Sequence, residues 1–274
     1  MDIAQNIAEA ARLIKQADGI LIGAGVGINI DSGVPDFRSN NGFWKTYPSL
    51  EKEGIDFFEI ANPKTLARVP RLAWGFYRQR QKLYRDTVPH AGFSILQELT
   101  AHTPHGAFVF TSNVDGQFQK SGFDESRIAE IHGSLHHMQC CGPCSESIWT
   151  AGEIDAEVDE EQCMLQSELP LCAHCDLLAR PNVLMFDDWS WLPARTEVQL
   201  ARLHAWRLEV SNPVLVEIGA GVEIPSVRRL GESLNIPLIR INPKHPDIEK
   251  RQGVGLSLGA LEGLQQIQAA FKRL

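Results

Sequence analysis

The sequence predicts an α/β protein, in which a doubly wound and mostly parallel sheet carries a smaller second lobe. Three observations support this class. Short apolar runs alternate with segments of helical periodicity, a glycine-rich loop follows the first apolar run, and two regions of different composition interrupt the alternation. Continuous apolar runs of this kind are typical of strands that are buried on both faces of a parallel sheet.

The predicted elements follow in order along the chain. The N-terminal segment has helical periodicity, with one apolar face formed by Ile3, Ile7, Ala10, Ala11 and Ile14. Gly19 then opens the apolar run ILIGA, which predicts the first buried strand. Further apolar runs predict strands within residues 107–112, 128–133, 182–186, 213–221 and 237–242. Helix-like segments such as AGFSILQELTAH and VRRLGESLN lie between these runs, so we expect a parallel sheet with crossover helices.

Two regions depart from this alternation. Residues 48–86 contain no strand-like run, but RLAWGFYRQRQKLY has helical periodicity. Residues 135–179 hold a group of cysteines and the acidic stretch 153–162, which we interpret as a solvated loop. We predict that the helical insertion 48–86 and the cysteine module 135–179 together form the small domain. The remaining Rossmann-like domain is predicted to comprise residues 1–47, 87–134 and 180–274.

The composition limits the class of protein. A chain of 274 residues with 43% hydrophobic residues can bury a large core. It contains no apolar run of about 18 residues, and its N-terminal helix pattern includes acidic residues, unlike a signal or transit peptide. The net charge of -8 and the lack of a basic run argue against a nucleic-acid partner. We therefore expect a cytoplasmic protein without a nucleic-acid or membrane partner, and the sequence leaves its oligomeric state open.

The cysteines indicate a metal site. All six lie between residues 140 and 175, and a reducing compartment favours metal ligation over disulfides. Two pairs have the C-x-x-C spacing of a metal-binding knuckle, Cys141 with Cys144 and Cys172 with Cys175. Four thiolates suit a tetrahedral Zn²⁺ in a closed structural site, which leaves no open position for chemistry. Cysteines that are merely buried are the alternative, and we interpret Cys163 as a spare.

The loop after the first strand reads GAGVGINIDSGVPDFRS. Glycines at this place let backbone N–H groups approach a pyrophosphate, so dinucleotide binding is one interpretation and close packing of the loop is the other. Ile28 interrupts the G-x-G-x-x-G pattern and no acidic residue ends a strand about 20 residues on, so an ordinary nicotinamide dehydrogenase is disfavoured. After Pro35, we interpret Phe37 and Arg38 as a mobile cap over a ligand. A turn with Phe37 in the core and Arg38 in a surface ion pair is the alternative.

Several motifs follow one another along most of the chain. They are GVGINIDSGVPDFRS, TSNVDGQFQKSGF, EIHGSL, the two cysteine pairs, RPNVLMFDD, EIGAGVEIP and RINP. In this order, over roughly residues 5 to 270, they resemble the motifs of the sirtuins, which are NAD-consuming protein deacylases. The resemblance implies NAD as co-substrate, a structural Zn²⁺, and acylated lysines of proteins as substrates. In that family the acyl oxygen attacks the ribose carbon that carries nicotinamide, and a histidine helps to remove a ribose hydroxyl proton.

The resemblance also implies which residues form the catalytic and NAD-binding site. His132 matches the family's base, and Asn113 and Asp115 match its polar pair at the end of a strand; an imidazole suits proton transfer at neutral pH. A structural histidine and an Asx turn are the alternatives. The residues implied in NAD binding are Gly25, Val26, Gly27, Asp36, Phe37, Arg38, Ser112, Asn113, Asp115, His132, Gly219, Ala220, Gly221 and Asn242. Gly23-Ala24-Gly25 offers an earlier register for the first glycines, but the later register aligns the Pro-Asp-Phe-Arg segment.

A few positions depart from the family pattern. Asn29 replaces a serine, and Ser112 replaces a glutamine. Gln117-Phe118 replaces the Leu-His of the family pattern, and Gly219-Ala220-Gly221 replaces Gly-Thr-Ser. We therefore expect NAD to bind, but with weaker contacts. Asp187 replaces a glycine, which we expect to alter the backbone and narrow the entry of a peptide. Cys140 is the alternative to Cys141 as first Zn²⁺ ligand, at the family's usual distance after His-Gly-Ser.

Two further segments are implied in binding the acyl-lysine. Tyr77 and Arg80 lie on one helical face and match a Tyr-x-x-Arg pair with which some sirtuins hold an acidic acyl group. The alternative is an amphipathic helix with Tyr77 half buried and Arg80 in solvent, and Arg78 is a competing cation. Val183 and Phe186 are expected to line the acyl-lysine tunnel, beside a segment that pairs with the substrate peptide.

The resemblance therefore predicts an NAD-dependent protein-lysine deacylase that releases nicotinamide and O-acyl-ADP-ribose. Its acyl group is acetyl, or succinyl or malonyl if the Tyr-x-x-Arg pair functions. A protein ADP-ribosyltransferase or NAD hydrolase, which shares the first step, is the alternative. A non-catalytic NAD-sensing module is a third possibility, and it is disfavoured because a sensor needs no base such as His132.

Overall fold

The computed structural model describes residues 2–37, 40–152, 157–248 and 253–274. The β-strands are β1 (Gly19–Ala24), β2 (Ala107–Thr111), β3 (Ile128–Glu130), β4 (Gly133–Cys140), β5 (Trp149–Thr150), β6 (Val158–Asp159), β7 (Met164–Leu165), β8 (Ala179–Val183), β9 (Pro213–Ile218), β10 (Leu238–Ile241) and β11 (Gly253–Leu256). The α-helices are α1 (Ile3–Gln16), α2 (Asn40–Thr46), α3 (Pro48–Lys52), α4 (Phe57–Ile60), α5 (Pro63–Arg68), α6 (Pro70–Asp86), α7 (Gly92–Thr100), α8 (Gln117–Lys120), α9 (Ala194–Glu209), α10 (Ser226–Ser233) and α11 (Ala260–Phe271). Among the described residues, no helix has the length and apolar character needed to span a bilayer.

A six-stranded sheet with the strand order β11-β10-β9-β1-β2-β3 organises the larger part of the protein, and all its pairings are parallel. Every residue of β1 is buried, because alternate side chains enter two different layers. Ile20 and Ile22 pack against α1, α7 and α11 on one face, whereas Leu21 packs against α9 and α10 on the other. The predicted α/β class and the doubly wound sheet are thus confirmed.

The order of the strands reverses beside β1. From β1 the chain proceeds to β2 and β3 on one side, and it returns through β9 and β10 on the other. The connections that leave β1 and β9 therefore diverge at the carboxyl ends of these two strands. In open parallel sheets this point forms a crevice, where ligands bind.

Strands β8 and β11 differ from the sequence prediction, and β4 to β7 were not predicted as strands either. We did not predict β11, because its sequence GVGL is short and half glycine. Residues 182–186 were predicted as a strand of the parallel sheet, but only Asn182 and Val183 belong to a strand, β8. β8 pairs antiparallel with β4 outside the main sheet. The prediction was wrong because an apolar run indicates a buried strand without indicating its partner.

The small lobe combines helices α2 to α6 with a three-stranded antiparallel sheet, β5-β4-β8, and the hairpin β6-β7. It has its own hydrophobic cluster, with the fully buried aromatic side chains of Phe43, Trp74 and Phe76 at its centre. The helical insertion predicted for residues 48–86 is confirmed, and the helices already begin at α2. The predicted acidic loop is described only from residue 157, and β6 lies within it; residues 153–156 lie outside the described part. The division into two domains stays a prediction.

Helix α6 lies directly on the cysteine-containing part of the lobe. A Cβ atom at Gly75 would lie 2.1 Å from the carbonyl oxygen of Cys163, so only glycine permits this approach. The indole Nε1 of Trp74 donates to the carbonyl oxygen of Ala179 at 3.1 Å, and Arg71 donates to that of Leu165 at 3.0 Å. These contacts fix the helix that carries Tyr77 and Arg80.

Candidate active site

The predicted site residues follow the carboxyl ends of the parallel strands. Gly25 follows β1, Asn113 follows β2, His132 follows β3, Gly219 follows β9 and Asn242 follows β10. Two cavities open at this edge of the sheet, of about 280 Å³ and about 330 Å³. Val26 lines both of them, so they form neighbouring parts of one crevice.

The first cavity brings the three predicted catalytic residues together, because Asn113, Asp115 and His132 all line it. The amide Nδ2 of Asn113 donates to the carbonyl oxygen of Gly25 at 3.2 Å, which ties the end of β2 to the end of β1. The Oδ1 atom of Asn113 is buried and has no partner among the described residues. The acceptor therefore lacks a hydrogen bond within the described part of the protein.

Asp115 is a buried carboxyl group with a raised pKa. Its Oδ1 atom accepts from the backbone N–H of Gln117 at 2.9 Å, and its Oδ2 atom accepts from Nδ2 of Asn29 at 2.5 Å. Burial raises the pKa of Asp115 to about 6, although both hydrogen bonds act in the opposite direction. The group therefore changes its charge close to neutral pH.

The imidazole of His132 is only partly buried, lines the first cavity and contacts Ser226. Its Nε2 atom lies 3.1 Å from the hydroxyl oxygen of Ser226, the first residue of α10. A hydroxyl group can donate or accept, so this contact is compatible with either neutral tautomer of the ring. We did not predict Ser226 as a site residue, because a serine at the start of a helix is common for reasons unrelated to a site.

The glycine loops pack against each other rather than against open space. A Cβ atom at Gly25 would lie 2.6 Å from the carbonyl oxygen of Gly219, and one at Gly27 would lie 2.7 Å from the Cα atom of Gly219. Gly219 has a φ of 60°, and its own Cβ would lie 2.4 Å from the backbone of Gly27. Gly25 lines neither cavity, so close packing of the two loops accounts for this glycine, and its role in binding NAD stays a prediction.

The second cavity contains most of the other residues implied in NAD binding. Its predicted lining residues are Val26, Gly27, Asp36, Gly219, Ala220, Gly221 and Asn242. The side chain of Asn242 is used within the protein: Nδ2 donates to the carbonyl oxygen of Ala220 at 3.0 Å, and Oδ1 accepts from the backbone N–H groups of Lys244 and His245. Asn242 therefore shapes the rim of this cavity.

Of the two residues of the predicted cap, Phe37 is described by the structure and Arg38 lies outside the described residues. Phe37 is 6% exposed and belongs to the hydrophobic cluster of the small lobe, which agrees with the alternative of a core position. It also lines the first cavity, beneath the guanidinium of Arg80 at 5.1 Å from the ring centre. The two interpretations of Phe37 are thus compatible.

Tyr77, Arg80, Val183 and Phe186 all line the first cavity. Arg80 is 7% exposed, and its Nε and Nη2 atoms donate to the hydroxyl of Tyr84 at 3.2 and 2.6 Å. No ion pair with a carboxylate is found for Arg80 among the described residues. The hydroxyl of Tyr77 is also buried, without a partner in that part of the chain. Arg78 points elsewhere and donates to Gln81, so it does not compete for this cavity.

The residues that depart from the family pattern differ in whether they line the first cavity. Ser112 lines the first cavity, whereas Phe118 belongs to the hydrophobic core beside the main sheet, with its ring centre 5.1 Å from that of Phe93. Gln117 is buried and donates to the carbonyl oxygen of Tyr84 at 2.9 Å. Asp187 has a φ of 53°, the left-handed conformation that glycine adopts readily. Asp187 therefore adopts a conformation that is unusual for a residue with a side chain, and its expected effect on the backbone and on peptide entry stays a prediction.

The loop that carries Val183 and Phe186 is held by an ion pair that we did not predict. Arg180 Nη1 donates to Oδ1 of Asp188 at 3.0 Å, and Nη2 donates to Oδ2. The backbone N–H groups of Met185 and Ser190 donate to the same carboxylate. Burial alone would raise the pKa of Asp188, but the hydrogen bond and charge of Arg180 lower it.

Four cysteine thiols are positioned to bind a metal ion. The Sγ atoms of Cys140, Cys144, Cys172 and Cys175 lie within 4.8 Å of one another, with neighbouring pairs at 3.6 and 3.7 Å. Four sulfurs about 2.3 Å from a tetrahedral Zn²⁺ would lie about 3.8 Å apart, so the donor set fits a structural zinc site.

The thiol cluster contains Cys140 and not Cys141, so the predicted first ligand Cys141 is corrected to Cys140. Cys140 ends β4, and successive side chains of an extended segment point to opposite sides, so Cys141 packs against the hydrophobic cluster of the lobe instead. The C-x-x-C spacing favoured the wrong neighbour. Cys163 is fully buried in the same cluster, as expected for a cysteine outside the metal site.

The comparisons with known proteins agree with this site. A family model described as the Sir2 family matches residues 23–206. An NAD-dependent protein deacylase of Thermococcus kodakarensis is 32% identical over 184 residues, which are 66% of this chain and 65% of that protein. An NAD-dependent protein deacylase 2 of Pyrobaculum aerophilum is 30% identical over 271 residues, which cover 96% of this chain and 95% of that protein. The crystal structure of a Sir2 homologue in complex with NAD has a TM-score of 0.69 at 21% identity and covers 100% of this chain and 94% of that chain.

The fold and the cysteine site thus define a two-lobed α/β protein with a zinc-binding module. The family match extends over more than half of the chain. This chain belongs to the Sir2 family, the sirtuins.

Proposed function

We propose that the protein is an NAD-dependent protein-lysine deacylase, which releases nicotinamide and O-acyl-ADP-ribose. The observation that carries this proposal is the convergence of His132, Asn113 and Asp115 on one cavity at the switch point of the sheet. The names of the relatives from Thermococcus kodakarensis and Pyrobaculum aerophilum support the same activity. Acylated lysines of proteins are the proposed partners.

The two cavities would bind different parts of the ligands. The second cavity, with Gly219, Ala220 and Asn242 at its wall, would hold the adenosine and phosphate half of NAD. The first would hold the nicotinamide ribose together with the acyl-lysine, which enters beside Val183 and Phe186. When bound, NAD supplies the glycosidic bond that is broken in the reaction. Phe37 at the wall of the first cavity helps to exclude water from it.

The proposed roles follow from the chemistry of the side chains. Asn113 offers an unpaired amide oxygen and Asp115 offers a carboxylate, and both can orient hydroxyl and N–H donors of the ligand. His132 is the proposed general base for the ribose hydroxyl proton, because its partly exposed imidazole lines the same cavity and suits proton transfer near neutral pH. The four-cysteine site would hold the small lobe together and take no part in chemistry, since all its ligands come from the protein.

A peptide assay tests the proposal. The protein is incubated with NAD and acylated peptides, and the release of nicotinamide, the mass of the peptide and the mass of the protein are followed. Deacylation requires nicotinamide release that depends on peptide, together with a deacylated product. Release without peptide, or a mass gain on protein, would instead indicate NAD hydrolysis or ADP-ribosyl transfer, and no turnover would indicate a sensing module.

The His132→Ala variant tests the base. We expect deacylation to fall by about 10²- to 10⁴-fold, the usual contribution of a general base. His204→Ala is a matched control, since His204 is an exposed histidine on α9, away from both cavities. Full activity of His132→Ala would remove this assignment.

We further propose that the acyl group is acidic. Arg80 is a buried cation that lines the cavity, and among the described residues its side chain donates hydrogen bonds to the neutral hydroxyl of Tyr84. A carboxylate at the end of an acyl chain would supply the missing negative charge and could also accept from Tyr77. We expect Arg80→Met to reduce desuccinylation at least tenfold more than deacetylation, whereas Arg78→Met changes the ratio little. An unchanged ratio in Arg80→Met would contradict the acidic preference.

A further inference from the structure

Ser226 contacts the imidazole of the proposed base. Its hydroxyl oxygen lies 3.1 Å from Nε2 of His132, which is within hydrogen-bond distance. Both residues are partly buried, and Ile224, two residues before Ser226, lines the first cavity together with His132. The hydroxyl thus meets the ring beside the cavity in which the reaction is proposed to occur.

Helix α10 holds Ser226 in a fixed position. Val227, the next residue, is buried in the hydrophobic cluster on one face of the main sheet. A Cβ atom at Gly23 of β1 would lie 3.0 Å from Cγ1 of Val227, so the helix lies directly on that strand. Arg228 donates to the carbonyl oxygen of His245 at 3.1 Å. The main sheet and its loops therefore position the hydroxyl of Ser226.

The backbone of His132 is held by a different part of the protein. Its carbonyl oxygen accepts from the N–H of Leu184, which follows β8, at 2.9 Å. Gly133 has a φ of 77°, and a Cβ atom there would lie 2.0 Å from the carbonyl oxygen of Asn182, so only glycine fits. The small-lobe sheet therefore fixes the main chain of His132, whereas its ring reaches a helix of the main sheet.

Helix capping does not account for the side chain of Ser226. A serine that caps a helix occupies the N-cap position, from which its oxygen accepts from a backbone N–H. In α10 that position is occupied by Pro225, and Ser226 lies one residue beyond it. Among the residues that the structure describes, the hydrogen bond found for the Ser226 hydroxyl is its contact with the imidazole.

We propose that Ser226 is a positioning residue for His132, which holds the imidazole in the orientation needed for proton transfer. The inference rests on the proposed function, in which His132 takes the proton of a ribose hydroxyl. A serine hydroxyl can donate to an unprotonated ring nitrogen and accept from a protonated one. The contact therefore persists when the ring becomes an imidazolium, and it is stronger then because the donor is charged.

The proposed reaction contains one step that needs this base and one that does not. In the first step the acyl oxygen bonds to the ribose carbon, and the bond to nicotinamide breaks with its electron pair on nicotinamide. No proton is removed in this step, and added nicotinamide can reverse it. His132 takes the proton from a ribose hydroxyl oxygen afterwards, so the position of its ring affects the later step alone.

The test compares Ser226→Ala and Ser226→Thr with the wild-type protein. Two rates are measured with the same acylated peptide, deacylation and the incorporation of labelled nicotinamide into NAD. We expect Ser226→Ala to lower kcat of deacylation about tenfold and to leave nicotinamide exchange within about twofold of the wild type. Ser226→Thr retains a hydroxyl and should recover most of the lost deacylation. A merely structural role would lower both rates together, so an unchanged ratio of the two rates in Ser226→Ala overturns the proposal.

Ser233→Ala is the matched control. Ser233 lies on the same helix, and its hydroxyl likewise makes a hydrogen bond, to the carbonyl oxygen of Leu230 at 2.8 Å. It is exposed and lines neither cavity, so both rates should match those of the wild type. A selective loss of deacylation in this control would assign the effect to the helix as a whole and would also overturn the proposal.

A spectroscopic experiment separates the inference from the proposed function. NMR spectra of the histidine rings report the protonation and hydrogen bonding of each ring nitrogen, and the His132 signals are assigned by their absence in His132→Ala. We expect the Nε2 signal of His132 to move in Ser226→Ala and to remain in place in Ser233→Ala. If this occurs but the wild type deacylates no peptide, the proposed function fails and the positioning of the ring stands. If the wild type deacylates peptides but the signal does not move, only the inference fails.

Discussion

The guanidinium of Arg180 and the carboxylate of Asp188 form an ion pair in which the two side chains are 1% and 0% exposed. Each has further partners, since Arg180 also donates to the carbonyl oxygen of Val183 at 2.7 Å and Asp188 accepts from the N–H of Met185. The pair thus closes the loop between β8 and the strongly bent segment at Asp187. This ion pair and its hydrogen bonds therefore position Val183 and Phe186 at the wall of the first cavity.

Breaking the pair is expected to be costly. Asp188→Ala leaves a buried guanidinium without its counter-charge, and we expect the free energy of unfolding to fall by about 3 to 5 kcal/mol in urea titrations. The double variant Arg180→Met with Asp188→Leu removes both charges and should recover much of that loss. Equal destabilisation of the single and double variants would show that packing of the loop, rather than the unpaired charge, is responsible.

The same pair predicts a dependence of stability on acid. Because the pKa of Asp188 is lowered in the folded protein, its contribution is present above the unfolded value of about 3.9 and is lost as the pH falls through the folded pKa. Unfolding free energies of the wild type should therefore fall in this acidic window more steeply than those of Asp188→Asn. Parallel curves for the two proteins would contradict the assignment.

The metal site predicts opposite behaviour for two adjacent cysteines. Cys140→Ser removes one of the four clustered thiols, so we expect most of the zinc to be lost and the melting temperature to fall. Cys141→Ser leaves the cluster intact and should retain zinc in proportion to protein. Elemental analysis of the two purified variants checks this, and zinc loss from Cys141→Ser alone would restore the C-x-x-C assignment.

Gly219 is expected to tolerate no side chain. Gly219→Ala combines a left-handed backbone with a Cβ only 2.4 Å from the backbone of Gly27, and we expect a loss of about 3 kcal/mol of stability together with a raised KM for NAD. Gly54→Ala is the matched control, because Gly54 has a φ of 68° and no atom within 4 Å of its Cβ position. It should cost about 1 kcal/mol and leave KM unchanged. Similar costs for both variants would remove the argument for close packing of the loops.

The parallel, doubly wound character of the main sheet and the polar end of β2 could be predicted from the sequence. The run ILIGA is apolar throughout, and β1 is indeed buried on both faces. His132, Asn113 and Asp115 follow predicted strands, and the carboxyl ends of parallel strands meet at one edge. These predictions depend on periodicity and order along the chain, which the sequence contains directly.

Other features depend on contacts between distant residues and could not be predicted in this way. The Arg180–Asp188 pair looks in the sequence like two ordinary charged residues, and only folding reveals that both are buried. The distinction between Cys140 and Cys141 depends on the side to which the end of β4 directs each thiol. The hydrogen bond from Asn29 to Asp115 joins residues 86 positions apart.

The packing of α6 on the cysteine-containing part of the small lobe has a consequence for the whole enzyme. Trp74 donates to the carbonyl oxygen of Ala179, and Ala179 is paired with the ligand Cys140 in the ladder of β4 and β8. Tyr77 lies about one turn and Arg80 nearly two turns further along the same helix, at the proposed acyl end of the first cavity. Loss of metal in a cell should therefore disturb the selection between acyl chains first. The second cavity, which is proposed to bind the nucleotide half of NAD, lies on the other side of the switch point and should keep its shape for longer.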